Sequence, residues 1–134
     1  MELQRATWVL AAAKTSVPEA RALVERTLDG LPSAPLEVVL LLTSELVTNA
    51  VRHGSGPVGL RLAWDDRQVR VEVEDASPER PVVRAIDRSA PDGRGLMLID
   101  ALSEAWGVEA SGPGKTVWFA LRLPGDVPSA DAGR

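Results

Sequence analysis

The chain of 134 residues has no cysteine, which excludes disulfide scaffolds, thiolate zinc sites and cysteine nucleophiles. It has one histidine, His53, too little material for a histidine metal cluster. An excess of basic residues is also missing. Fifteen Lys and Arg stand against nineteen Asp and Glu, a net charge of -4, whereas nucleic-acid binders usually carry the opposite balance. Apolar runs such as Val38 to Leu42 are far too short to span a bilayer, and the polar start Met1-Glu2-Leu3-Gln4-Arg5 lacks the apolar centre of a signal peptide. A cytoplasmic protein with no membrane or nucleic-acid partner is expected. There is no internal repeat, and no Gly-X-X-X-X-Gly-Lys-Ser/Thr phosphate loop occurs.

What is present suits one ordinary globular domain. Hydrophobic residues make up 45% and charged residues 25%. A single domain is expected over residues 1–123. Residues 124–134, rich in Gly, Pro, Ala and Asp, read as a flexible tail.

Gln4 to Ala12 reads as a strand. Pro18 suits the first turn of a helix, with Ser16 as a candidate cap and Gly30 and Pro32 as the stop. A second helix follows Pro35 and runs to about His53, with Gly54 past its end. Val58 to Trp64, the turn Asp65-Asp66-Arg67, and the alternating Val69, Val71 and Val73 describe a half-buried antiparallel hairpin. Ala76 to Asp92 is a long irregular loop carrying Arg80, Arg84 and Arg88, with Arg94 beside it. A short helix over Gly93 to Leu102 and strands over Ala105–Val108 and Thr116–Leu123 complete the order. Strands grouped in hairpins predict an α+β fold, a two-layer sandwich whose mixed, mainly antiparallel sheet is covered on one face by helices.

The second helix carries the most information. At about 100° per residue, Leu36, Val39, Leu40, Thr43, Leu46, Val47, Ala50 and Val51 share one arc suited to packing on the sheet. Glu45, Thr48, Asn49 and Arg52 fall opposite, with Glu45 and Asn49 one turn apart. A solvated face is one explanation. The other is a pocket wall, since Asn49 is a poor mid-helix residue and Val38 and Leu41 share its side. An amide oxygen is a hard ligand suited to Mg²⁺, and a carboxylate beside it can act as a general base. Gly93-Arg94-Gly95-Leu96 opens the third helix, either as a tight turn or as a place where phosphate approaches backbone N–H groups. Asp75 ends the valine strand, either as a terminator or as an acceptor for an exocyclic amine.

Glu45-Leu46-Val47-Thr48-Asn49-Ala50-Val51-Arg52-His53-Gly54, Val73-Glu74-Asp75, Gly93-Arg94-Gly95-Leu96 and Gly114-Lys115-Thr116-Val117 stand in a definite order. That order resembles the GHKL superfamily of histidine kinase, gyrase and Hsp90-like ATP-binding domains. More narrowly it resembles the RsbW-like anti-sigma-factor serine/threonine kinases of actinobacterial type. The resemblance implies the Bergerat ATP-binding fold, ATP and Mg²⁺ as cofactors, Glu45 as catalytic base and Asn49 as the metal ligand. It implies that Asp75 accepts from the adenine amino group with Thr116 assisting through water, and that Gly93, Arg94, Gly95 and Leu96 wrap the phosphates. The activity implied is phosphoryl transfer from MgATP to a serine or threonine of a STAS-type anti-anti-sigma partner, alongside sequestration of a sigma factor, in a homodimer. Many relatives have Asp-X-Gly-X-Gly where this chain has Asp75-Ala76-Ser77-Pro78-Glu79, a form found among actinobacterial-type relatives. The alternative is a non-catalytic regulator of the same fold that acts only by binding protein partners.

Overall fold

The computed structural model describes residues 2–53, 56–76 and 91–124, with the backbone alone over 91–95. The element order is β1 (Gln4–Leu10), α1 (Ser16–Thr27), α2 (Ser33–His53), β2 (Val58–Trp64), β3 (Gln68–Asp75), α3 (Pro91–Leu102), β4 (Ala105–Ser111) and β5 (Gly114–Arg122). Residues 77–90 of the loop expected over Ala76 to Asp92, Gly54 and the tail from residue 125 lie outside the described residues.

The strands form one five-stranded sheet in the order β1-β2-β3-β5-β4. Every neighbouring pair is antiparallel. Alternation decides which side each residue takes. In β3, Val69, Val71 and Val73 are buried while Arg70, Glu72 and Glu74 are half-buried on the other face. In β5, Val117 and Phe119 share the buried side, opposite Val73 and Val71. The helices cover that side, with α2 packed against β2, β3 and β5 and flanked by α1 and α3.

By length and composition α2 is apolar enough to cross a membrane. In this fold its apolar residues have another use: Val39, Leu42, Leu46 and Val47 are completely or almost completely buried in the core. α2 starts at Ser33, before the expected Pro35, because N–H groups of a first helical turn have no intrahelical partner and a proline there forfeits nothing. The first new bond runs from Leu36 N–H to the Pro32 carbonyl. Ser16 is not the cap of α1 but its first residue, and its hydroxyl donates to the Ala11 carbonyl. α3 likewise starts earlier than expected, with Pro91 in its first position.

Three features of the register bear on function. Asp75 at the end of β3 lies directly opposite Lys115 in β5. Gly59 in β2 pairs with Glu74, so the start of β2, which follows the C-terminal end of α2, lies at the same end of the sheet as Asp75. β4 continues to Ser111, three residues beyond the expected end, and meets Gly114 there.

Candidate nucleotide-binding site

Glu45 and Asn49 are half-buried on the same side of α2, as expected for residues one turn apart. That side is not simply solvated. Together with Thr48 and Arg52 it faces Met97, Leu98 and Ala101 of α3 across a cleft of about 400 Å³, within the size range of small-molecule sites. One wall carries a carboxylate, an amide, a hydroxyl and a guanidinium, and the facing wall is apolar. The polar wall arises because α2 buries the remainder of its circumference. Leu42 and Leu46 pack into the core, and on the α1 side Arg21 Nη1 donates to Ser44 Oγ over 3.1 Å.

The donor chemistry fits a hydrated Mg²⁺. Among the described residues no three His, Asp or Glu side chains come together to hold a metal ion. Mg²⁺ commonly keeps several waters and takes one or two protein oxygens plus substrate phosphates, a demand that Asn49 can meet with Glu45 nearby.

Asp75 lies under the helical layer and does not line the α2–α3 cleft among the described residues. Its side chain is 2% exposed and that of Lys115 is 6% exposed. Lys115 Nζ lies 3.1 Å from Asp75 Oδ2 and 3.2 Å from Oδ1. Buried ionised groups require such partners, and removing one member of a buried pair typically costs about 3–5 kcal/mol because the other charge is stranded.

Thr116 is placed away from the role the resemblance gives it. Being one residue on from Lys115, it points to the other face of the sheet. There its hydroxyl accepts from Arg61 Nη2 at 3.4 Å. Lys115, not Thr116, stands beside Asp75. Strand alternation carried this signal: Val71, Val73 and Asp75 alternate onto one face of β3, and their partners Phe119, Val117 and Lys115 alternate onto the same face of β5. Leu96 is also not a surface group: it is buried in the core. Gly93, Arg94 and Gly95 lie in the first half of α3, and the Arg94 side chain falls outside the described residues.

The sheet face away from the helices carries a charged network. Arg61 Nε donates to Glu72 Oε1 at 2.9 Å and its Nη1 to Glu74 Oε1 at 2.8 Å. Arg70 Nε donates to Glu72 Oε2 at 2.7 Å while its guanidinium stacks 3.9 Å above the centre of the Trp118 ring. Ser111 Oγ donates to Glu74. For Glu72, burial works to raise the pKa, but hydrogen bonds from Arg61 and Arg70 outweigh it and hold the carboxyl below the usual range. For Glu74, the Ser111 hydrogen bond and then Arg61 lower it. Arg61 is raised in return, first by Glu74 and then by Glu72.

An antiparallel sheet covered on one face by three helices, with a polar-walled cleft between two of them, is the architecture of histidine kinase-like ATPase domains. The chain belongs to that family: the model of the histidine kinase-like ATPase domain matches residues 10–121. Among solved structures it is similar in fold to the RsbU and RsbW domains of Rv1364c from Mycobacterium tuberculosis, with a TM-score of 0.70 at 22% sequence identity. That match covers 90% of this chain and 32% of the other, so the chain spans about a third of its length. No curated protein matches the chain.

Proposed function

We propose that the protein binds MgATP between α2 and α3 and transfers the terminal phosphoryl group to a serine or threonine hydroxyl of an anti-anti-sigma partner, with sequestration of a sigma factor as its second activity. The observation that carries this reading is the joint placement of Glu45 and Asn49 on one wall of the cleft. Membership of the ATPase-domain family supports it for the nucleotide. The fold likeness to an RsbW-containing protein supports it for the partners.

In this reading Mg²⁺ supplies charge neutralisation at the phosphates, and the protein supplies position. The Asn49 amide oxygen holds the ion. The Glu45 carboxylate takes the proton of the acceptor hydroxyl, a base beside the nucleophile being what phosphoryl transfer requires. Asp75, which the resemblance makes the acceptor for the base, is buried against Lys115 and does not line the cleft among the described residues, so the reading rests on Glu45 and Asn49. Met97, Leu98 and Ala101 give the cleft an apolar wall that limits water.

A second reading, regulation by protein binding without catalysis, is favoured by Ala76-Ser77-Pro78 following Asp75 in place of the glycines of many relatives. Titration of the purified protein with MgATP, followed by labelled-phosphate transfer to candidate partners, separates the two. Micromolar to millimolar binding with transfer supports the first, and binding to the partner with no transfer supports the second.

A further inference from the structure

The sheet face away from the helices holds a cationic hollow that the proposed function does not use. Its volume is about 100 Å³, too small for a nucleotide, and Arg5, Thr7, Arg61, Ala63, Arg70 and Glu72 are among the residues that line it. The strand register explains why it is there. Arg5 in β1 lies opposite Ala63 in β2, and Ala63 lies opposite Arg70 in β3. Neighbouring strands are about 4.8 Å apart, so the two arginines stand about 10 Å from each other with only a methyl group between them. Arg61 follows on the same face, two residues from Ala63 along β2.

The three guanidiniums are not equally engaged. Arg61 gives Nε to Glu72, Nη1 to Glu74 and Nη2 to Thr116, so it contributes charge more than free donors. Arg70 gives only Nε to Glu72, and among the described residues both its Nη groups lack a partner. Its orientation is nonetheless fixed, because it stacks on Trp118. Arg5 is exposed and makes no hydrogen bond or ion pair among the described residues. Glu72 and Glu74 are neutralised by Arg61 and Arg70, which leaves the charge of Arg5 uncompensated. A guanidinium presents its N–H donors as a planar fork that matches oxyanions. Two forks bordering one hollow suit a tetrahedral dianion better than a carboxylate, which a single fork can saturate. We propose that the hollow over Ala63 is a phosphate-binding site, with Arg5 and Arg70 as its two donors and the Thr7 hydroxyl at its edge. The ligand is inorganic phosphate or the phosphate group of a phosphomonoester. This inference is independent of the α2–α3 cleft.

Calorimetric titration with sodium phosphate tests the proposal, without divalent metal and with ionic strength held constant by sodium chloride. O-phosphoserine and acetate are titrated in parallel. The wild type binds a phosphate group saturably and more tightly than acetate. Arg5→Gln weakens that binding about tenfold or more, the effect of losing one charge-assisted fork. Arg70→Lys keeps a charge beside Glu72 but not the fork, and it weakens binding as well. Ala63→Leu fills the hollow and abolishes binding. If the leucine variant does not fold, Arg5→Gln decides, because that side chain is exposed and no described residue depends on it. Tighter binding of phosphate identifies the free ion as the ligand, and tighter binding of O-phosphoserine identifies a phosphomonoester. A wild type that binds neither saturably, or that binds acetate as tightly, overturns the inference. So does binding that is unchanged in Arg5→Gln and Ala63→Leu, the result that phosphate held in the α2–α3 cleft would give.

Discussion

At the scale of single residues, the proposed function gives Glu45 and Asn49 separable duties on one helical turn, and substitution should separate them. Asn49→Ala removes the amide oxygen, and the expected outcome is loss of Mg²⁺-dependent nucleotide binding with the circular dichroism spectrum unchanged. Unchanged MgATP affinity by calorimetry would remove Asn49 as the metal ligand. Glu45→Ala should bind MgATP about as well as the wild type yet transfer phosphate at least ~100-fold more slowly, the usual contribution of a general base. Equal single-turnover rates for the two proteins would exclude Glu45 from that role. Both residues were legible in the sequence, because an amide and a carboxylate three to four positions apart on a helix must share a side. Lys115 was not singled out, although strand parity pointed to it. Its importance comes from being opposite Asp75, a residue forty positions earlier.

At the scale of elements, the β3–β5 ladder is where Asp75 and Lys115 meet, and Gly114 is a tight point in it. A Cβ there would meet the Asp75 carbonyl oxygen at 1.9 Å and Ala76 Cα at 2.7 Å, both backbone atoms that cannot rotate aside. Gly114→Ala should therefore destabilise the protein by roughly 1–3 kcal/mol or more, as overpacking does, read as a lower urea midpoint. A midpoint equal to that of the wild type would show that β5 shifts at no cost. Periodicity placed α2 and its sheet-facing arc correctly but missed Leu42, which is completely buried. α2 lies between α1 and α3 as well as on the sheet, so it buries more of its circumference than a helix resting on a single surface. The starts of α2 and α3 were misread for one shared reason: each has a proline in its first turn, where proline is compatible with helix.

At the scale of the whole molecule, the open sheet face ties three strands together through Arg61, Arg70, Glu72, Glu74 and Ser111. Glu72 and Glu74 titrate below the usual carboxylate range in the folded protein. A depressed carboxylate contributes stability that is present above its unfolded pKa and is lost as pH falls through the folded value. The expected outcome is a thermal midpoint that is steady near neutrality and falls from roughly pH 5 downward. The Glu72→Gln, Glu74→Gln double variant should start lower and show a shallower acid decline. Because these groups are partly exposed, each pair contributes no more than about 1 kcal/mol. Equal acid slopes for the two proteins in a melting series would assign the decline to other carboxylates.

The sequence alone determined the order of the described elements, the antiparallel hairpins, and the grouping of Glu45 with Asn49, because all of these follow from local periodicities of 2 and 3.6 residues. It also supplied the ordered motifs by which the family resemblance was seen. Only the tertiary structure decided that α3 faces the polar side of α2 across a cleft, that Leu96 belongs to the core, and that Asp75 is held by Lys115 while Thr116 looks the other way. Those outcomes depend on which strand lies beside which and in what register, and a shift of one residue in register exchanges every side chain between the two faces of a sheet.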